Sequence, residues 1–368
     1  MAFKNFILKH KLLTVIVSVI LVLVLSTVGT AVYFLSKINI AYDGTPPQTA
    51  PTISTAPAET GTDENGEKIT TEANDDDHDI DSIGKLSKDT KDALKDADDD
   101  IRANLDDSKK WYSDQVMNIA LLGIDNGSKK FPYGRSDSMI IVSINKAVNK
   151  VKLISLSRTA YAAIPGYPNT RLSHAHGYGG APLAIQAIEQ NYKIRIDNYI
   201  SCTFESFIKI IDAFGGVDIT LTNAESKAMK QYNSGFSGAG TYTLNGDLAL
   251  KYARLRKIDT DRDRTGRQRN VLLSLAQKCR NITAAQAISL LNQVLPLVTT
   301  DLTRGEIVYQ LASALNYLKW DISQYLVPAK PYQLVLRDGF EVIIMNWAHE
   351  VDYIHELIYE GVIPLYEE

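Results

Sequence analysis

The fold is decided by three apolar runs, VMNIALLG (116–123), SMIIVSI (138–144) and KVKLISLS (150–157). Each run has the length of a strand and is rich in the large and branched apolar residues that strands favour. Only Asn145–Asn149 lies between the second run and the third, a length typical of a β-hairpin loop. The three runs therefore predict neighbouring strands of one sheet.

Strands and helices are mixed through the rest of the chain. Further strands are predicted at Tyr199–Phe204 and Val217–Leu221, and a late hairpin, residues 332–344, turns at Asp338-Gly339. Apolar residues at helical spacing predict helices at Ala181–Asn191, Glu205–Phe214, Asn245–Lys257, Gly266–Arg280, Ala284–Val298, Arg304–Leu318 and Asn346–Tyr359. This mixture predicts an α/β/α layered domain with a central mixed β-sheet over residues 111–368.

An uncharged apolar run near the N-terminus, residues 12–36, predicts one transmembrane helix that precedes the domain. As a helix the run would be about 37 Å long, enough to cross a hydrocarbon core of ~30 Å. Lys4, Lys9 and Lys11 come before it, so the positive-inside rule predicts a cytoplasmic tail of residues 1–11 and an extracytoplasmic domain at the cell membrane. The alternative is a cleaved signal peptide, whose apolar region is typically shorter.

Residues 37–110 predict a disordered acidic stalk. Their first part is rich in Pro, Thr and Ala, and residues 59–110 hold 18 acidic against 8 basic residues. Such a composition buries too little apolar surface to offset the loss of chain entropy. The whole chain has a net charge of only −4, so the remaining domain is mildly basic.

Two carboxylates stand where predicted strands end or begin. Asp125 directly follows the first strand, and Asp137 directly precedes the second in the stretch GRSD (134–137). Because one strand can end at the same edge of a sheet where its neighbour begins, the two carboxylates can lie close together. Such a pair suits Mg²⁺, which is held in proteins by one or two carboxylates together with substrate phosphates. The alternative interpretation is that both residues are turn residues or helix caps.

Arginine is concentrated in the stretch KYARLRKIDTDRDRTGRQR (251–269). The planar guanidinium suits bidentate phosphate binding, and a further arginine, Arg158, ends the third predicted strand, where a buried charge needs a partner. Three aspartates are interleaved in the stretch, so a salt-bridged surface hairpin is the alternative. The predicted extracytoplasmic location, the mildly basic charge of the domain and the lack of interleaved aromatic residues all argue against nucleic acid as a partner.

Other classes of site lack their signatures. The chain has neither a P-loop nor a dinucleotide-binding glycine motif. Its two cysteines, Cys202 and Cys279, form no disulfide framework and have no zinc-ligand spacing with histidine. We interpret them as two independent buried thiols.

Seven stretches between roughly residues 115 and 280 occur in an order that one family shares. They are NIALLGID (118–125), GRSDSMIIVSIN (134–145), KVKLISLSR (150–158), HGYGG (176–180), FESFIKIIDAFGGVDI (204–219), LNGDLALKYARLR (244–256) and RTGRQR (264–269). In this order they resemble the LytR–CpsA–Psr family of cell-wall glycopolymer ligases in Gram-positive bacteria.

The resemblance implies a magnesium-dependent phosphotransferase that moves a glycopolymer from a polyprenyl diphosphate carrier onto peptidoglycan. Asp125 and Asp137 match the metal-ligand positions of the family. The matching catalytic positions are Arg158, Arg254 and Arg256, and the positions that contact the diphosphate are Arg135, Arg158, Arg254, Arg256, Arg264 and Gln268. Phosphoryl transfer requires mainly positioning and charge neutralisation, which such a cluster can supply.

Two further expectations concern residues around this cluster. The lipid tail needs an apolar groove, for which the faces Ile208-Ile211 and Leu272-Leu275 are candidates, with ordinary core packing as the alternative. Arg269 lies in the same basic segment but outside the matching positions, so we expect it to tolerate replacement by Ala.

The chain departs from the family pattern at two places. The family usually has Pro-Arg-Asp where Ser157-Arg158-Thr159 stands, so one carboxylate is missing. An Asn-Ala-Ala-Tyr-like stretch is replaced by residues 173–176, SHAH, and His174 or His176 could then serve as the general base. Two alternatives therefore stay open. One is a non-catalytic, membrane-anchored scaffold that binds polyprenyl phosphate or the cell wall, and the other is a phosphodiesterase or pyrophosphatase that uses water as acceptor.

Overall fold

A computed structural model describes residues 39–40, 88–107, 109–125, 127–255, 261–280, 282–329, 332–337 and 340–367. The predicted cytoplasmic tail, the predicted transmembrane helix and most of the predicted stalk lie outside these residues. Among the helices within them, none combines the length and the apolar character needed to cross a membrane.

The strands of the described residues begin and end as follows. In chain order they are β1 (Asn39–Ile40), β2 (Lys110–Tyr112), β3 (Val116–Ile124), β4 (Ser136–Asn145), β5 (Lys150–Leu156), β6 (Tyr161–Ile164), β7 (Tyr167–Arg171), β8 (Asn198–Thr203), β9 (Val217–Leu221), β10 (Gly240–Leu244), β11 (Thr299–Thr300), β12 (Asp321–Val327), β13 (Gln333–Arg337), β14 (Phe340–Ile344) and β15 (Leu365–Glu367).

Seven of these strands form one mixed sheet in the order β1-β11-β8-β3-β4-β5-β12. β4 pairs antiparallel with both β3 and β5, whereas β8 runs parallel to β3 and β12 runs parallel to β5. The predicted hairpin between β4 and β5 is confirmed, and its last loop residue, Asn149, has a φ of 54°. Asparagine adopts this left-handed conformation more readily than most residues. The predicted α/β class with a central mixed sheet is confirmed.

The helices of the described residues start where side chains can cap them. Three begin with a capping box, in which a threonine and a Glu or Gln at the third helical position satisfy each other's backbone N–H groups: Thr222 with Glu225, Thr283 with Gln286 and Thr303 with Glu306. In chain order the helices are α1 (Lys88–Asp106), α2 (His174–Tyr192), α3 (Phe204–Ala213), α4 (Asn223–Met229), α5 (Gly246–Ala253), α6 (Asp261–Cys279), α7 (Ala284–Val294), α8 (Arg304–Tyr317) and α9 (Trp347–Ile358).

The sheet separates two layers of helices, and its two faces differ in burial. On one face, which we call the closed face, Ala120, Leu122 and Ile124 are buried against α1, α2 and α9. On the other, the open face, Ile119 and Leu121 of the same strand are only half-buried. Helices α6, α7 and α8 lie on the open face, and α6 also belongs to a second apolar core with α3, α5 and the β9–β10 hairpin. The predicted three-layer arrangement is therefore present.

Helix α1 corrects the predicted extent of the stalk. It lies within residues 37–110, yet Leu94, Ala97 and Ile101 are buried in the main core. Tyr161 Oη and Asn169 Nδ2 donate to the Asp98 carboxylate at 2.7 and 2.8 Å. The high net charge of the segment concealed this helix, because apolar residues at spacings of three and four form a stripe even among acidic neighbours. The folded domain therefore begins before residue 111.

Because Ile101 is only 1% exposed, replacing it with Ala should lower the free energy of unfolding by about 2–5 kcal/mol. The neighbouring Arg102 is exposed, and its replacement by Ala should change stability by less than about 0.5 kcal/mol. Urea unfolding of the purified protein measures both values. Equal, small effects of the two substitutions would contradict the docking of α1.

Candidate functional site

The polar residues singled out in the sequence line one edge of the sheet, where β3, β5, β8 and β12 end and β4 begins. Asp125 directly follows β3, Asp137 lies at the start of β4, and Arg158 comes shortly after β5. Ligands of open α/β sheets bind at the carboxyl ends of the strands. The order and directions of the strands therefore bring these residues together at one edge, as predicted.

Asp125 and Arg135 form a buried ion pair at this edge. Arg135 Nε donates to Asp125 Oδ2 at 2.9 Å, and the Arg135 backbone N–H donates to the other carboxylate oxygen. Between them, Gly134 has a φ of 74°, and a Cβ at this position would lie 2.4 Å from the Asp125 carbonyl oxygen. The turn therefore requires glycine. His176 Nδ1 donates to the Gly134 carbonyl oxygen at 2.8 Å and fixes the turn to α2.

Asp137 and Arg158 form a second ion pair, which is more accessible. Arg158 Nη1 donates to Asp137 Oδ1 at 2.7 Å. The Asp137 side chain is 15% exposed, against 2% for Asp125. Burial raises the pKa of Asp125, and the negative charge of Asp137 raises it further. The two carboxylates thus interact electrostatically, in accord with the prediction that they lie close together.

These two carboxylates could hold a metal ion only together with other ligands. No group of three or more His, Cys, Asp or Glu side chains is arranged for a metal in the part of the chain that the structure describes. Asp125 and Asp137 offer hard oxygen ligands, and Mg²⁺ typically retains waters or takes phosphate oxygens for its remaining positions. The donor set therefore fits a magnesium ion that binds with a phosphate-bearing substrate.

Helix α6 brings two more predicted residues to the same edge. Ser138 Oγ donates to Gln268 Oε1 at 3.1 Å, so Gln268 lies over the start of β4, beside Asp137. Arg264 is one helical turn earlier on the same side of α6 and is buried. Gln268 was identified only through the family resemblance, and Ser138 was not singled out at all, since a serine at a strand start carries no distinctive signal.

Two other arginines of α6 have structural contacts. Arg269 Nη1 donates to Ser155 Oγ at 2.6 Å, and Arg269 Nε donates to Gln324 Oε1 at 3.0 Å. Burial lowers the pKa of Arg269 to about 10. Arg267 Nη2 donates to the Leu255 carbonyl oxygen at 2.8 Å. Arg269 is therefore not the dispensable residue that we expected, because it fastens α6 to the sheet.

Arg254 approaches the edge from the α5 side. It is exposed at the C-terminal end of α5, and its guanidinium carbon lies 4.7 Å from the centre of the Phe204 ring. Phe204 directly follows β8, whose last residue, Thr203, pairs with Ile124 just before Asp125. Arg254 therefore borders the site from the side opposite to Arg158. Arg256 lies outside the described residues.

The general-base role expected for His174 or His176 is not supported by their surroundings. The ring of His174 packs against Phe131 and Phe340, with centroids 4.6 and 4.9 Å away. Burial, followed by the positive charge of Arg171, lowers the pKa of His174 well below its usual value, and burial also lowers the pKa of His176. Both imidazoles are buried, so neither is exposed to an incoming acceptor.

Thr159 also supplies no replacement for the missing carboxylate. Its hydroxyl lies 3.1 Å from the Ser157 hydroxyl, and both residues are buried. The two hydroxyls satisfy each other beside Arg158. At this position a pair of buried hydroxyls therefore stands where the family resemblance implies a carboxylate.

Half-buried apolar side chains continue from the ion pairs along the open face. Ile119, Leu121 and Ile200 on the strands are half-buried, as are Ile208 and Leu272 on the facing helices. One member of the predicted groove differs: Ile211 is fully buried in the second core. The open face therefore provides apolar surface beside the charged edge.

The comparison with family models gives one match, to the LytR_cpsA_psr family over residues 80–353. Among curated relatives, TagT of Bacillus subtilis is 32% identical over 179 residues, which are 46% of this chain and 55% of TagT. TagU of Oceanobacillus iheyensis is 38% identical over 165 residues, 43% of this chain and 49% of TagU. Both are named polyisoprenyl-teichoic acid–peptidoglycan teichoic acid transferases. The chain thus spans about half the length of these relatives.

A solved structure shares the fold. The LytR-CPS2A-psr family protein YwtF (TagT) with bound octaprenyl pyrophosphate lipid has a TM-score of 0.51 and 22% sequence identity to this chain. The match covers 67% of this chain and 90% of that protein. The mixed α/β architecture around one central sheet is therefore common to both.

Replacing Arg269 with Ala should lower the free energy of unfolding by about 1–3 kcal/mol, because Ser155 and Gln324 lose a buried donor. Replacing the exposed Arg254 with Ala should change it by less than about 0.5 kcal/mol. Denaturant titration of both variants measures these two changes in the free energy of unfolding. A stable Arg269→Ala variant would show that its contacts with Ser155 and Gln324 do not fasten α6 to the sheet.

The buried histidines predict a loss of stability in acid. The folded protein holds His174 neutral, so below about pH 6.5 the unfolded chain binds a proton that the folded chain does not. The free energy of unfolding therefore falls as the pH falls, by up to about 1.4 kcal/mol per pH unit for one histidine. Replacing His174 with Phe, among Phe131 and Phe340, should flatten this slope. Unfolding curves between about pH 7.5 and 5.5 measure it, and an unchanged slope would exclude His174 as its source.

Proposed function

The chain belongs to the LytR–CpsA–Psr family, and on that premise we propose that it is a magnesium-dependent phosphotransferase. Its substrate is a glycopolymer linked to a polyprenyl diphosphate, its acceptor is peptidoglycan, and its product is a phosphodiester between the two. We further propose that residues 12–36 anchor it in the membrane with the folded domain outside the cytoplasm. The curated relatives named as teichoic acid transferases support the proposed reaction.

One observation carries the proposal: two aspartate–arginine pairs lie at the end of a sheet whose open face is apolar and half-buried. A lipid diphosphate has these two parts, a highly charged head and a long apolar tail. The head requires cations at close range, and the tail requires apolar surface away from water. The junction of the charged edge and the open face supports binding of both parts in one orientation.

The proposed diphosphate site is formed by arginines from both sides of the edge. Arg135 and Arg158 are on the strand side, Arg254 is on the α5 side, and Arg264 and Gln268 are on α6. Arg256 completes the proposed set. Arg135, Arg158 and Arg264 are buried, whereas Arg254 is exposed, so Arg254 is the described arginine of the proposed set that an incoming phosphate meets first. Guanidinium groups hold phosphate oxygens two at a time, which fixes the orientation of the diphosphate.

The proposed magnesium ion balances the remaining charge. Each aspartate–arginine pair is close to neutral, so the two pairs do not by themselves compensate the negative charge of a bound diphosphate. Mg²⁺ held by Asp137 and Asp125 would neutralise the phosphate oxygens during transfer. Asp137 is the more accessible carboxylate, so we assign it the direct contact, with Asp125 behind it.

In the proposed reaction a hydroxyl oxygen of the acceptor forms a bond to the phosphorus that carries the glycopolymer. The bond from this phosphorus to the bridging oxygen breaks, and polyprenyl monophosphate leaves with the electron pair. The hydroxyl proton passes to the departing phosphate. Arg158 and Arg254 neutralise the charge that develops on the phosphate oxygens, and this stabilisation, more than proton transfer, provides the rate enhancement.

A second candidate function is supported by Thr159. Because this position and its neighbour Ser157 offer hydroxyls in place of a carboxylate, proton removal from the acceptor lacks a general base there. A protein that binds polyprenyl phosphate without turnover would keep the arginines and the open face. Hydrolysis by water would need the same general base, so this observation does not favour the phosphodiesterase alternative.

The transfer reaction tests the assignment directly. Asp137→Asn in the full-length protein should reduce magnesium-dependent transfer to a peptidoglycan acceptor by about 100-fold or more. Arg254→Ala should weaken binding of the lipid diphosphate about 10- to 100-fold even without metal, because it removes charge-assisted hydrogen bonds. Arg254→Lys should restore only part of this binding, since an ammonium group makes no bidentate contact. The measurements are transfer rates and lipid affinity.

The matched control is Arg195→Ala. Arg195 also pairs with an aspartate, Asp197, but it precedes β8 at the opposite edge of the sheet, so its loss should leave transfer unchanged. Wild-type transfer by both site variants would refute the site. Wild-type protein that retains a polyprenyl phosphate, identified by mass spectrometry, but shows no transfer would favour the non-catalytic binder.

A further inference from the structure

The loop of residues 127–134 lies between Asp125 and Arg135, the two members of the buried ion pair, and presents one aromatic ring to solvent. We propose that this residue, Tyr133, is the platform on which the saccharide acceptor stacks. The inference rests on the proposed transfer reaction and adds to it the place where the acceptor binds.

Contacts between Phe131 and helix α2 hold the loop in place. Phe131 is buried, and its ring centroid lies 4.6 Å from that of His174 and 5.4 Å from that of Tyr178. A Cβ at Gly177 would lie 2.5 Å from the Phe131 ring, so the ring is in close contact with the backbone of α2. The Gly134 N–H donates to the Phe131 carbonyl oxygen at 3.0 Å. An aromatic residue in this loop is therefore positioned before any ligand arrives.

Tyr133 is nevertheless 58% exposed. Its ring lies beside the kink of α2, where a Cβ at Gly180 would be 3.7 Å from Tyr133 Cδ1. The ring therefore lies close to the backbone of α2 while more than half of the side chain stays accessible. Tyrosine offers a large, rigid, amphipathic contact surface at low entropic cost, and the apolar face of a pyranose ring can pack on it.

The position of Tyr133 fits the acceptor and not the donor. Tyr133 contacts α2, which packs on the closed face, whereas the proposed lipid tail lies along the open face. In-line displacement at phosphorus requires the attacking oxygen and the leaving group on opposite sides. With the prenyl phosphate leaving towards the open face, the attacking hydroxyl must come from the α2 side, where Tyr133 lies.

The charge around Tyr133 fits the same class of partner. Lys129 and Lys130 are exposed in the same loop, and Lys130 Nζ lies 4.5 Å from the centre of the Phe340 ring. A glycan strand whose sugars or peptide stems carry carboxylates would meet these cations at the rim while a sugar ring stacks on Tyr133. The occupant is therefore an acidic glycan, the class to which the proposed peptidoglycan acceptor belongs.

The test measures acceptor binding without any donor. The probe is a soluble, uncrosslinked peptidoglycan tetrasaccharide, titrated calorimetrically into the full-length protein. Tyr133→Ala should weaken its binding about tenfold, which corresponds to one aromatic stacking contact. Tyr133→Phe should bind within about twofold of wild type, because it keeps the ring. The matched control is Tyr309→Ala on α8, since Tyr309 is equally exposed at 59% and lies away from the loop.

Transfer kinetics give the second measurement. Tyr133→Ala should raise the KM for the acceptor about tenfold and leave the KM for the lipid donor and the kcat at saturating acceptor unchanged. Unchanged binding in Tyr133→Ala, or an equal loss in Tyr309→Ala, overturns the platform. Wild-type protein that binds the tetrasaccharide through Tyr133 but transfers nothing would refute the proposed function and keep the platform. If Tyr133→Ala transfers with an unaltered KM for the acceptor, the platform is refuted and the proposed function is kept.

Discussion

The buried ion pair between Asp125 and Arg135 is the constraint on which the site depends. Taking two charges out of water is costly, and the cost is recovered only when geometry is good and the remaining hydrogen-bonding positions are filled. Here the Arg135 backbone N–H fills one of them, Gly134 provides the turn that brings it there, and His176 holds that turn against α2. Because this pair fixes the start of β4, it also fixes Asp137, and through Asp137 the direction of Arg158.

One face of the sheet contributes mainly to stability, and the other contributes mainly to the proposed activity. The closed face buries its strand side chains against three helices and holds most of the apolar core. The open face leaves alternate residues of β3 half-buried, so it gives up part of the stabilisation that full burial would provide. Proteins accept such losses where a surface has to receive a ligand, and the residues concerned are those next to the charged edge.

The central strands and the charged edge could be predicted from the sequence, because both depend on residues that are neighbours in the chain. The runs around Ala120, Ile141 and Ile154 have strand composition whatever surrounds them, and Asp125 and Asp137 flank those runs directly. Strand β12 was missed because its alternation in DISQYLV is weak and its pairing with β5 is distant in sequence. Helix α1 was missed because average charge over a long segment outweighed the Leu94–Ala97–Ile101 stripe. The role of Arg269 was mistaken because burial depends on tertiary contacts that residue type does not determine.

The two ends of the described domain are fastened to each other. β2, next to α1, pairs antiparallel with β15, so that Trp111 lies opposite Tyr366, and the Trp347 backbone N–H at the start of α9 donates to Asp100 in α1 at 3.0 Å. Contacts this distant in sequence form late and slow folding, because a long loop must close before they form. A growing chain therefore cannot form the β2–β15 pairing until residues 365–367 have been synthesised. The first helix of the domain, which these contacts hold, is therefore among the last elements to be secured.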